Sequence, residues 1–536
     1  MSRVVIISLY DEFCLGPRYI TSVLREAGHE AYQILFKHCL SMYDTPRQKN
    51  DPDDHLCNFY ASKKETEILQ DFIREKDPLW VGFSFMSFSS DLAVFLTEKV
   101  RQVSDAPIVW GGIDPTINPE WAIEHADAVC VGEGENASLE LTEALQEKRD
   151  ITRIQNLWIK QDGTVHKNEI RTLIQDLDGL PHPNFDESTI WHINQDAIYP
   201  GLQPTVSPLD NWYVIMTSRG CPYRCSYCIH GVSHDLAKGK GKYLRRRTVR
   251  NVIDELKAYK EKRPDTSQIL FYDDVFTFDR KWIDEFADAY RREINIPFWV
   301  YTYPEMCDGV ILKRLQECGL MYVKMGIQSG SNRVMKEVYH RGLNQDRILK
   351  AIETLQELNL YCIYDVLVGI PLEKEEDLRE SLEFLLKIPR PFGLNVWPII
   401  YYRNYNITQM VEQEGSDRIQ KVEGANCSII PNDDPYLRFW IALMGLTKYP
   451  QVSPESIRML LENASLREDP APLEEMEKAL NQAVFIPNLE FQHKDVLIEK
   501  LQQENDRLRM QIAHLNNKKG LRLQRKVEKI LGMANI

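Results

Sequence analysis

The sequence has no hydrophobic run long enough to cross a membrane. A spanning helix needs about eighteen apolar residues, and no stretch of this chain approaches that length. Residues Met1 to Tyr10 hold one Arg and a short apolar run, which Asp11 and Glu12 follow. A signal peptide would need a longer apolar segment and a cleavage site of small residues, so we interpret this start as a β-strand. We therefore expect a cytoplasmic protein without a membrane span.

An excess of basic residues is also missing. The 65 Lys and Arg are outnumbered by 79 Asp and Glu, which leaves a formal net charge of −14. Broad nucleic-acid binding needs a basic surface, so the composition argues against a nucleic-acid partner. One local exception, KGKGKYLRRR at Lys238 to Arg247, either binds an anionic substrate or cofactor phosphate or forms a solvated face.

Cysteine is sparse, with 11 residues among 536, and only one group of cysteines is clustered. A cytoplasmic location argues against a disulfide framework, so we interpret the clustered cysteines as metal or redox ligands.

The first 150 residues alternate between short β-branched runs and amphipathic stretches. Five strands interleaved with helices predict an α/β fold with a Rossmann-like, doubly wound parallel sheet. Two glycine-containing loops, Gly111-Gly112 and Gly132 to Glu135, follow strands. Open α/β sheets bind ligands at such strand ends, so we expect a cofactor there.

Four further regions follow. Residues 151–206 predict a hairpin around Asp162-Gly163 and a proline-rich linker. Residues 207–405 contain six strand–helix repeats, which predict a partial (β/α)6 barrel of the TIM type. Residues 406–490 are expected to be helical. Residues 491–536 are predicted to form a coiled coil and tail.

The coiled coil rests on a heptad pattern near the C-terminus. The a positions are Phe491, Ile498, Asn505 and Ile512, and the d positions are Leu501, Leu508 and Leu515. All of them are apolar except Asn505. Isoleucine at a with leucine at d favours a parallel dimer, and one Asn at a fixes its register. The alternative is a single amphipathic helix that docks on its own core.

The cysteine cluster is Cys221, Cys225 and Cys228, directly after a predicted strand. Ferredoxin-type clusters use four thiolates, so a loop with three leaves one iron open to a small molecule. The alternative is a zinc site completed by His230 or His234.

The CxxxCxxC loop resembles the radical S-adenosylmethionine superfamily, and three later strand ends resemble that family too: FYDDVF at 271–276, GIQSGS at 326–331 and DVLVGIPLE at 365–373. The resemblance implies a 4Fe-4S cluster on the three cysteines, with S-adenosylmethionine chelating the open iron. It further implies that the residues which bind S-adenosylmethionine are Tyr227, Asp273, Asp274, Gln328, Ser329 and Gly369.

The first domain resembles the cobalamin-binding branch of that superfamily. Ser84 with Gly111 and Gly112 resembles its SxL…GG pattern, and Gly132 and Glu133 lie in a VGEGE stretch similar to its last loop. The resemblance implies that these five residues bind cobalamin.

One position departs from the cobalamin motif. Phe13 stands where DxHxxG would supply a cobalt-ligating histidine, so a bound cobalamin should lack that ligand. The alternative is a Rossmann-like domain that no longer binds the cofactor.

The resemblance implies an enzyme that methylates an unactivated carbon of a small-molecule or lipid metabolite, with an external electron donor of the flavodoxin or ferredoxin type. Three alternatives stay open: oxidative cyclisation or rearrangement with the same cofactors, methylthio transfer, and a non-catalytic iron–sulfur scaffold.

Overall fold

A computed structural model of the chain describes residues 1–11, 13–38, 51, 53–54, 60–201, 211–422 and 425–484. These residues form two compact units, of which the first comprises residues 1–323, 338–341 and 400–429. The second comprises residues 324–337, 342–399 and 430–484. The predicted coiled coil at 491–536 lies outside the described residues.

The first sheet is the predicted doubly wound parallel sheet, now seen with additional edge strands. Its described strands, in the order β7-β6-β5-β4-β3-β1-β2-β8-β9, are β1 (Arg3–Leu9), β2 (Glu30–Phe36), β3 (Trp80–Ser84), β4 (Ile108–Gly111), β5 (Ala128–Cys130), β6 (Leu157–Gln161), β7 (Thr164–Lys167), β8 (Ile190–Asn194) and β9 (Ala197–Pro200). Strands β1 to β5 and β8 pair in parallel.

Helices cover both faces of this sheet, which explains why its strands read as continuous apolar runs. In β1, Val5 and Ile7 belong to one hydrophobic cluster, whereas Val4 and Ile6 belong to another. The helices are α1 (Leu15–Glu26), α2 (Lys63–Lys76), α3 (Ser90–Arg101), α4 (Ile113–Ile117), α5 (Pro119–His125) and α6 (Glu135–Gln146).

The segment predicted as a hairpin and linker contributes four strands to the first sheet. The hairpin is present, with Asp162 and Gly163 in the left-handed region that a tight turn requires. Strand β6 pairs antiparallel with β5 at one edge. Strands β8 and β9 extend the opposite edge next to β2. These four strands complete the sheet. The proline-rich composition of the segment had concealed β8 and β9.

The second sheet has the strand order that the partial barrel predicts. Its strands, in order, are β10 (Trp212–Ile215), β13 (Gln268–Phe271), β14 (Phe298–Thr302), β15 (Leu320–Gln328), β16 (Tyr361–Val368) and β17 (Gly393–Pro398). The helices that follow them are α7 (Ile229–Leu236), α8 (Val249–Lys262), α9 (Arg280–Glu293), α10 (Gly309–Glu317), α11 (Gln345–Glu357) and α12 (Glu375–Lys387). A two-stranded ribbon, β11 (Ser218–Arg219) with β12 (Arg245–Arg246), follows β10.

The sixth strand of the second sheet, β17, is followed by a separate small sheet. Strand β17 ends at Pro398, and a proline has no N–H for the ladder. The next residues form a separate small sheet of β18 (Ile400–Tyr402), β19 (Gln420–Lys421) and β20 (Cys427–Ile429). The expected helical region follows as α13 (Asn406–Glu414), α14 (Pro435–Gly445), α15 (Pro454–Leu461), α16 (Ala464–Glu468) and α17 (Ala471–Val484).

Within the described ranges, no helix has both the length and the apolar character that a membrane crossing requires.

Candidate active site

The cysteine loop follows β10 and is shaped by a glycine. Gly220 has a φ of 91°, and a Cβ there would collide with the carbonyl oxygen of Tyr243. Only glycine therefore allows the chain to turn from β11 into the loop. Cys221 and Cys225 are buried, and Cys228 is half-buried at the start of α7.

The donor set of this loop fits an iron–sulfur cluster. Burial raises the pKa of the Cys221 thiol and of the Cys228 thiol to about 12, so both stay protonated unless a cation replaces the proton. Iron in such clusters is held by cysteine thiolates, and three of them lie on this one loop.

The two nearby histidines are engaged elsewhere. His230 Nε2 lies 2.8 Å from Asp274 Oδ1, and its Nδ1 lies 2.8 Å from the Tyr243 hydroxyl. His234 Nε2 lies 2.8 Å from the Cys221 carbonyl oxygen. A zinc site completed by His230 would have to break one of its two contacts. In the part of the chain that the structure describes, no three His, Cys, Asp or Glu side chains are arranged to hold one metal ion.

The two aspartates predicted to meet S-adenosylmethionine have different surroundings. Asp273 is fully buried and accepts hydrogen bonds from the Thr217 amide (3.1 Å), the Thr217 hydroxyl (2.9 Å) and the Ser218 hydroxyl. Burial raises its pKa, and the charge of Arg246 opposes that rise. Asp273 therefore organises the backbone before the cysteine loop. Asp274 is more exposed and contacts His230, so it is the aspartate available to a cationic ligand.

Tyr227 is also held within the protein. Its hydroxyl accepts a hydrogen bond of 2.9 Å from Arg341 Nη1. Its ring packs edge-on against Tyr339, with the ring centroids 4.9 Å apart.

Gln328, at the end of β15 in the second unit, is the predicted residue best prepared for a ligand. Its φ of 71° is in the left-handed region, which non-glycine residues seldom occupy outside turns and functional sites. Among the described residues, no donor reaches its buried side-chain Oε1. A buried acceptor without a partner is costly, and a hydroxyl donor such as a ribose would satisfy it.

Ser329 and Gly369 have local structural roles. The Ser329 hydroxyl lies 3.1 Å from that of Ser381 and accepts a bond of 3.1 Å from the Ser331 amide. Gly369 has a φ of 84°, and a Cβ there would lie 2.7 Å from Leu437 Cδ1. Glycine at 369 thus allows α14 to approach the end of β16.

A polar cluster on β15, β16 and β17 was missed by the sequence analysis. Asp365 accepts hydrogen bonds from Asn395 Nδ2 (2.8 Å) and Trp397 Nε1 (3.2 Å), and Lys324 Nζ lies 3.6 Å from its Oδ2. Side chains on β15 and β16 alternate between buried and partly buried positions. Lys324 and Asp365 fall at partly buried positions, as Gln328 does. The available signal was one charged residue in each of two largely apolar strands, Lys324 in β15 and Asp365 in β16.

The first sheet holds a cavity of about 270 Å³ at the carboxyl ends of its parallel strands. All five residues predicted to bind cobalamin line it: Ser84, Gly111, Gly112, Gly132 and Glu133. Ser84 is in register with Gly111 on the neighbouring strand, which brings the two parts of the SxL…GG pattern together.

The conformation of Gly112 bears on whether this cavity suits a large cofactor. Its φ is 94°, and a Cβ would lie 2.8 Å from both the amide nitrogen and the carbonyl oxygen of Phe85. Only glycine therefore fits against the Phe85 backbone at this point. Because Gly111, Gly112 and Gly132 all line the cavity, these three positions bring no side chain to its wall, which leaves room for a flat ring or its tail.

Glu133 lines the cavity and is also ion-paired. Its Oε1 pairs with Arg219 (3.1 Å) and Arg245 (2.9 Å), and its Oε2 accepts the Ile174 amide at 2.7 Å. Arg219 also pairs with Glu135 at 2.5 Å and itself lines the cavity. Because Arg219 lies two residues before Cys221, one side chain touches both the cavity and the start of the cysteine loop. This arginine was not predicted as a site residue from the sequence.

Phe13, at the position of the missing histidine, packs among apolar and aromatic side chains. Its ring centroid is 6.0 Å from that of Tyr272, and it lies against the cluster of Val214, Leu270 and Trp299. A phenyl ring offers no metal ligand.

Two family models match the chain. The Radical SAM superfamily model covers residues 215–385, and the B12 binding domain model covers residues 2–142. The predicted superfamily resemblance is thereby confirmed.

Curated relatives include methyltransferases. The chain is 27% identical to an uncharacterized methyltransferase of Pyrococcus horikoshii over 59% of this chain and 66% of that protein. It is 25% identical to the cytidylyl-2-hydroxyethylphosphonate methyltransferase of Streptomyces wedmorensis over 67% of this chain and 69% of that protein. The matched region thus spans about two thirds of each relative.

Two solved structures share the fold. The radical S-adenosylmethionine methyltransferase TsrM from Kitasatospora setae, with cobalamin and a [4Fe-4S] cluster bound, matches with a TM-score of 0.57 at 16% identity, over 78% of this chain and 77% of that chain. The cobalamin-dependent S-adenosylmethionine radical enzyme OxsB, with aqua-cobalamin and S-adenosylmethionine bound, matches with a TM-score of 0.61 at 14% identity, over 94% and 75%. The predicted fold class is confirmed.

Proposed function

We propose that this chain, which belongs to the radical S-adenosylmethionine superfamily and carries a B12-binding domain, is a cobalamin-dependent enzyme that methylates a carbon of a small-molecule or lipid metabolite. One observation carries the proposal. Arg219 lines the glycine-walled cavity of the first sheet and lies two residues before the three-cysteine loop. A site for a methyl-carrying cofactor and a site for a radical-generating cluster are thus neighbours in one unit.

When bound, the cluster supplies the electron that cleaves S-adenosylmethionine, and cobalamin supplies the methyl group. Cys221, Cys225 and Cys228 would hold the cluster through their sulfurs. Asp274 would accept from the methionyl ammonium, and Gln328 Oε1 from a ribose hydroxyl. The orphaned acceptor of Gln328 supports its part of this assignment.

The cavity residues would hold cobalamin by shape more than by charge. Gly111, Gly112 and Gly132 expose backbone on its wall, and Ser84 adds a hydroxyl. The carboxylate of Glu133 would act indirectly, because Arg219 and Arg245 already neutralise it. With Phe13 in place of histidine, the chain provides no nitrogen ligand from that loop.

The polar cluster on β15 to β17 would position the substrate. Trp397 is 46% exposed, and its indole nitrogen donates to Asp365, so the open ring face can pack against a substrate. Lys324 and Asn395 keep the carboxylate of Asp365 oriented.

The test is an assay of the full chain, purified without oxygen and reconstituted with iron, sulfide and hydroxocobalamin. With a reductant and S-adenosylmethionine, we expect bound iron and cobalt and formation of 5′-deoxyadenosine. When the carbon substrate is also supplied, we expect a product heavier than that substrate by one methylene unit. Loss of hydrogen or isomerisation would indicate cyclisation or rearrangement, and a methylthio product would indicate methylthio transfer. Cluster binding without cleavage of S-adenosylmethionine would refute an enzymatic role.

Three partner assignments accompany the proposal. A flavodoxin- or ferredoxin-type protein would supply the electron, residues 491–536 would form a homodimer through the heptad pattern, and the protein would work in the reducing cytoplasm. Light scattering of the full chain and of a chain ending at residue 490 tests the dimer.

A further inference from the structure

The segment Val338–Arg341 is hydrogen-bonded to the cysteine loop. The Ser226 amide donates to the Tyr339 carbonyl (3.1 Å), and the Ser226 hydroxyl donates to the Val338 carbonyl (2.5 Å). All of these residues belong to the first unit. The loop that carries the three thiols therefore has its conformation fixed by a segment more than one hundred residues away in sequence.

Arg341 places a positive charge beside this loop. Its Nη1 donates a hydrogen bond of 2.9 Å to the hydroxyl of Tyr227, which stands between Cys225 and Cys228. The residue is only 4% exposed. A charge with so little water around it acts on its neighbours through a low effective dielectric, so its field is felt more strongly than that of a surface arginine.

A second set of contacts fixes the guanidinium. Its Nε donates a hydrogen bond of 3.3 Å to the Tyr303 hydroxyl, and its central carbon lies 4.5 Å from the centroid of the Tyr303 ring. The Tyr303 ring stacks on Tyr223, which lies between Cys221 and Cys225, with centroids 3.7 Å apart. Arg341 is therefore connected to both halves of the cysteine loop.

We propose that Arg341 is a positioning residue whose buried charge raises the reduction potential of the cluster held by the cysteine loop. Reduction adds negative charge to a thiolate-ligated cluster, and a fixed cation nearby stabilises the reduced form. Net charge, hydrogen bonding and burial are the properties through which a protein sets such a potential. The inference rests on the proposed function, since it needs a cluster at Cys221, Cys225 and Cys228.

The experiment is an anaerobic redox titration of the reconstituted full chain, followed by electron paramagnetic resonance. In Arg341→Gln we expect the reduction equilibrium to shift at least tenfold toward the oxidised form, which is about 59 mV for a one-electron couple. Arg341→Lys keeps the charge and should remain close to wild type. Arg224→Gln is the matched control, because Arg224 is on the same loop but its side chain is 53% exposed and paired with Asp235.

Tyr227→Phe separates charge from scaffolding. It removes the acceptor of the Arg341 hydrogen bond but leaves the charge, so most of the wild-type potential should persist. The inference is overturned if Arg341→Gln has the potential of Arg224→Gln, or if Tyr227→Phe reproduces the full shift. If Arg341→Gln retains no iron, the Arg341→Lys variant tests the proposal. A tenfold shift of its reduction equilibrium, although the positive charge is kept, would contradict the proposal. A wild-type chain that binds no cluster would instead refute the proposed function.

Discussion

Arg219 and Glu133 form an ion pair, with Nη1 and Oε1 3.1 Å apart, that joins the residue before Gly220 to the loop after β5. Arg219 also pairs with Glu135, whose side chain is 5% exposed. The pair thus connects the cofactor cavity to the cysteine loop through partly buried side chains, with Arg219 20% and Glu133 16% exposed. A change in one site should be felt in the other.

Removing the Arg219 charge should destabilise the protein and loosen cobalamin. Arg219→Gln leaves Glu135 buried without its partner, which typically costs about 3 to 5 kcal/mol. Denaturant unfolding and the amount of cobalamin retained after gel filtration measure the two effects. Arg224→Gln removes an exposed pair and should cost less than about 1 kcal/mol. Equal losses in the two variants would contradict a special role for Arg219.

Substitution of any one loop cysteine should abolish cluster binding. Cys221→Ala, Cys225→Ala and Cys228→Ala each remove one of three thiolate ligands, so we expect iron content and 5′-deoxyadenosine formation to fall to background. Cys318→Ala is the control, because that buried thiol donates to the Leu315 carbonyl in another part of the first unit. It should retain wild-type iron. Retention of iron by the Cys228 variant would argue for a different ligand set.

Gly112 should not tolerate alanine. Its Cβ would meet the Phe85 backbone at 2.8 Å, and neither atom can move without shifting the end of β3. We expect Gly112→Ala to lose cobalamin, measured by the visible spectrum after reconstitution. Gly163→Ala is matched in backbone conformation, with a φ of 76°, but has open space around its Cβ position. It should keep cobalamin and lose only about 1 kcal/mol of stability. Similar cobalamin loss in both would point to general unfolding.

The two sites differ in how much of them could be predicted from sequence. Ser84 and Gly111 carry a motif that the sequence shows, and they lie in register because carboxyl ends of neighbouring parallel strands meet at one edge. The burial of Asp273 against Thr217 depends instead on a contact 56 residues apart in sequence. Such long-range side-chain partners leave no periodic signal, and the same holds for Arg219 and Arg341.

Gln328 should contribute to binding of S-adenosylmethionine. Gln328→Ala removes the buried Oε1, so we expect weaker binding by about tenfold, which corresponds to roughly 1.4 kcal/mol for one hydrogen bond. Equilibrium binding of S-adenosylmethionine to the reconstituted chain measures it. Gln328→Glu keeps an acceptor and should rescue most of the affinity. If alanine binds as well as wild type, the acceptor faces some other group.

A buried histidine pair should make stability depend on pH. His38 Nε2 lies 3.0 Å from His192 Nδ1, and burial lowers the pKa of both from 6.5 to about 4. The folded state therefore binds fewer protons than the unfolded chain between these values, so their stabilisation is complete above pH 6.5 and is lost as the pH falls toward 4. Buried acids with raised pKa values, such as Asp273, act in the opposite sense, so a comparison between variants is needed. As the pH falls from 6.5 to about 4, the unfolding free energy of His192→Asn should rise relative to that of wild type by about 1.4 kcal/mol per pH unit. Urea unfolding at each pH measures this difference. Parallel profiles for wild type and His192→Asn would show that the pair does not control acid stability.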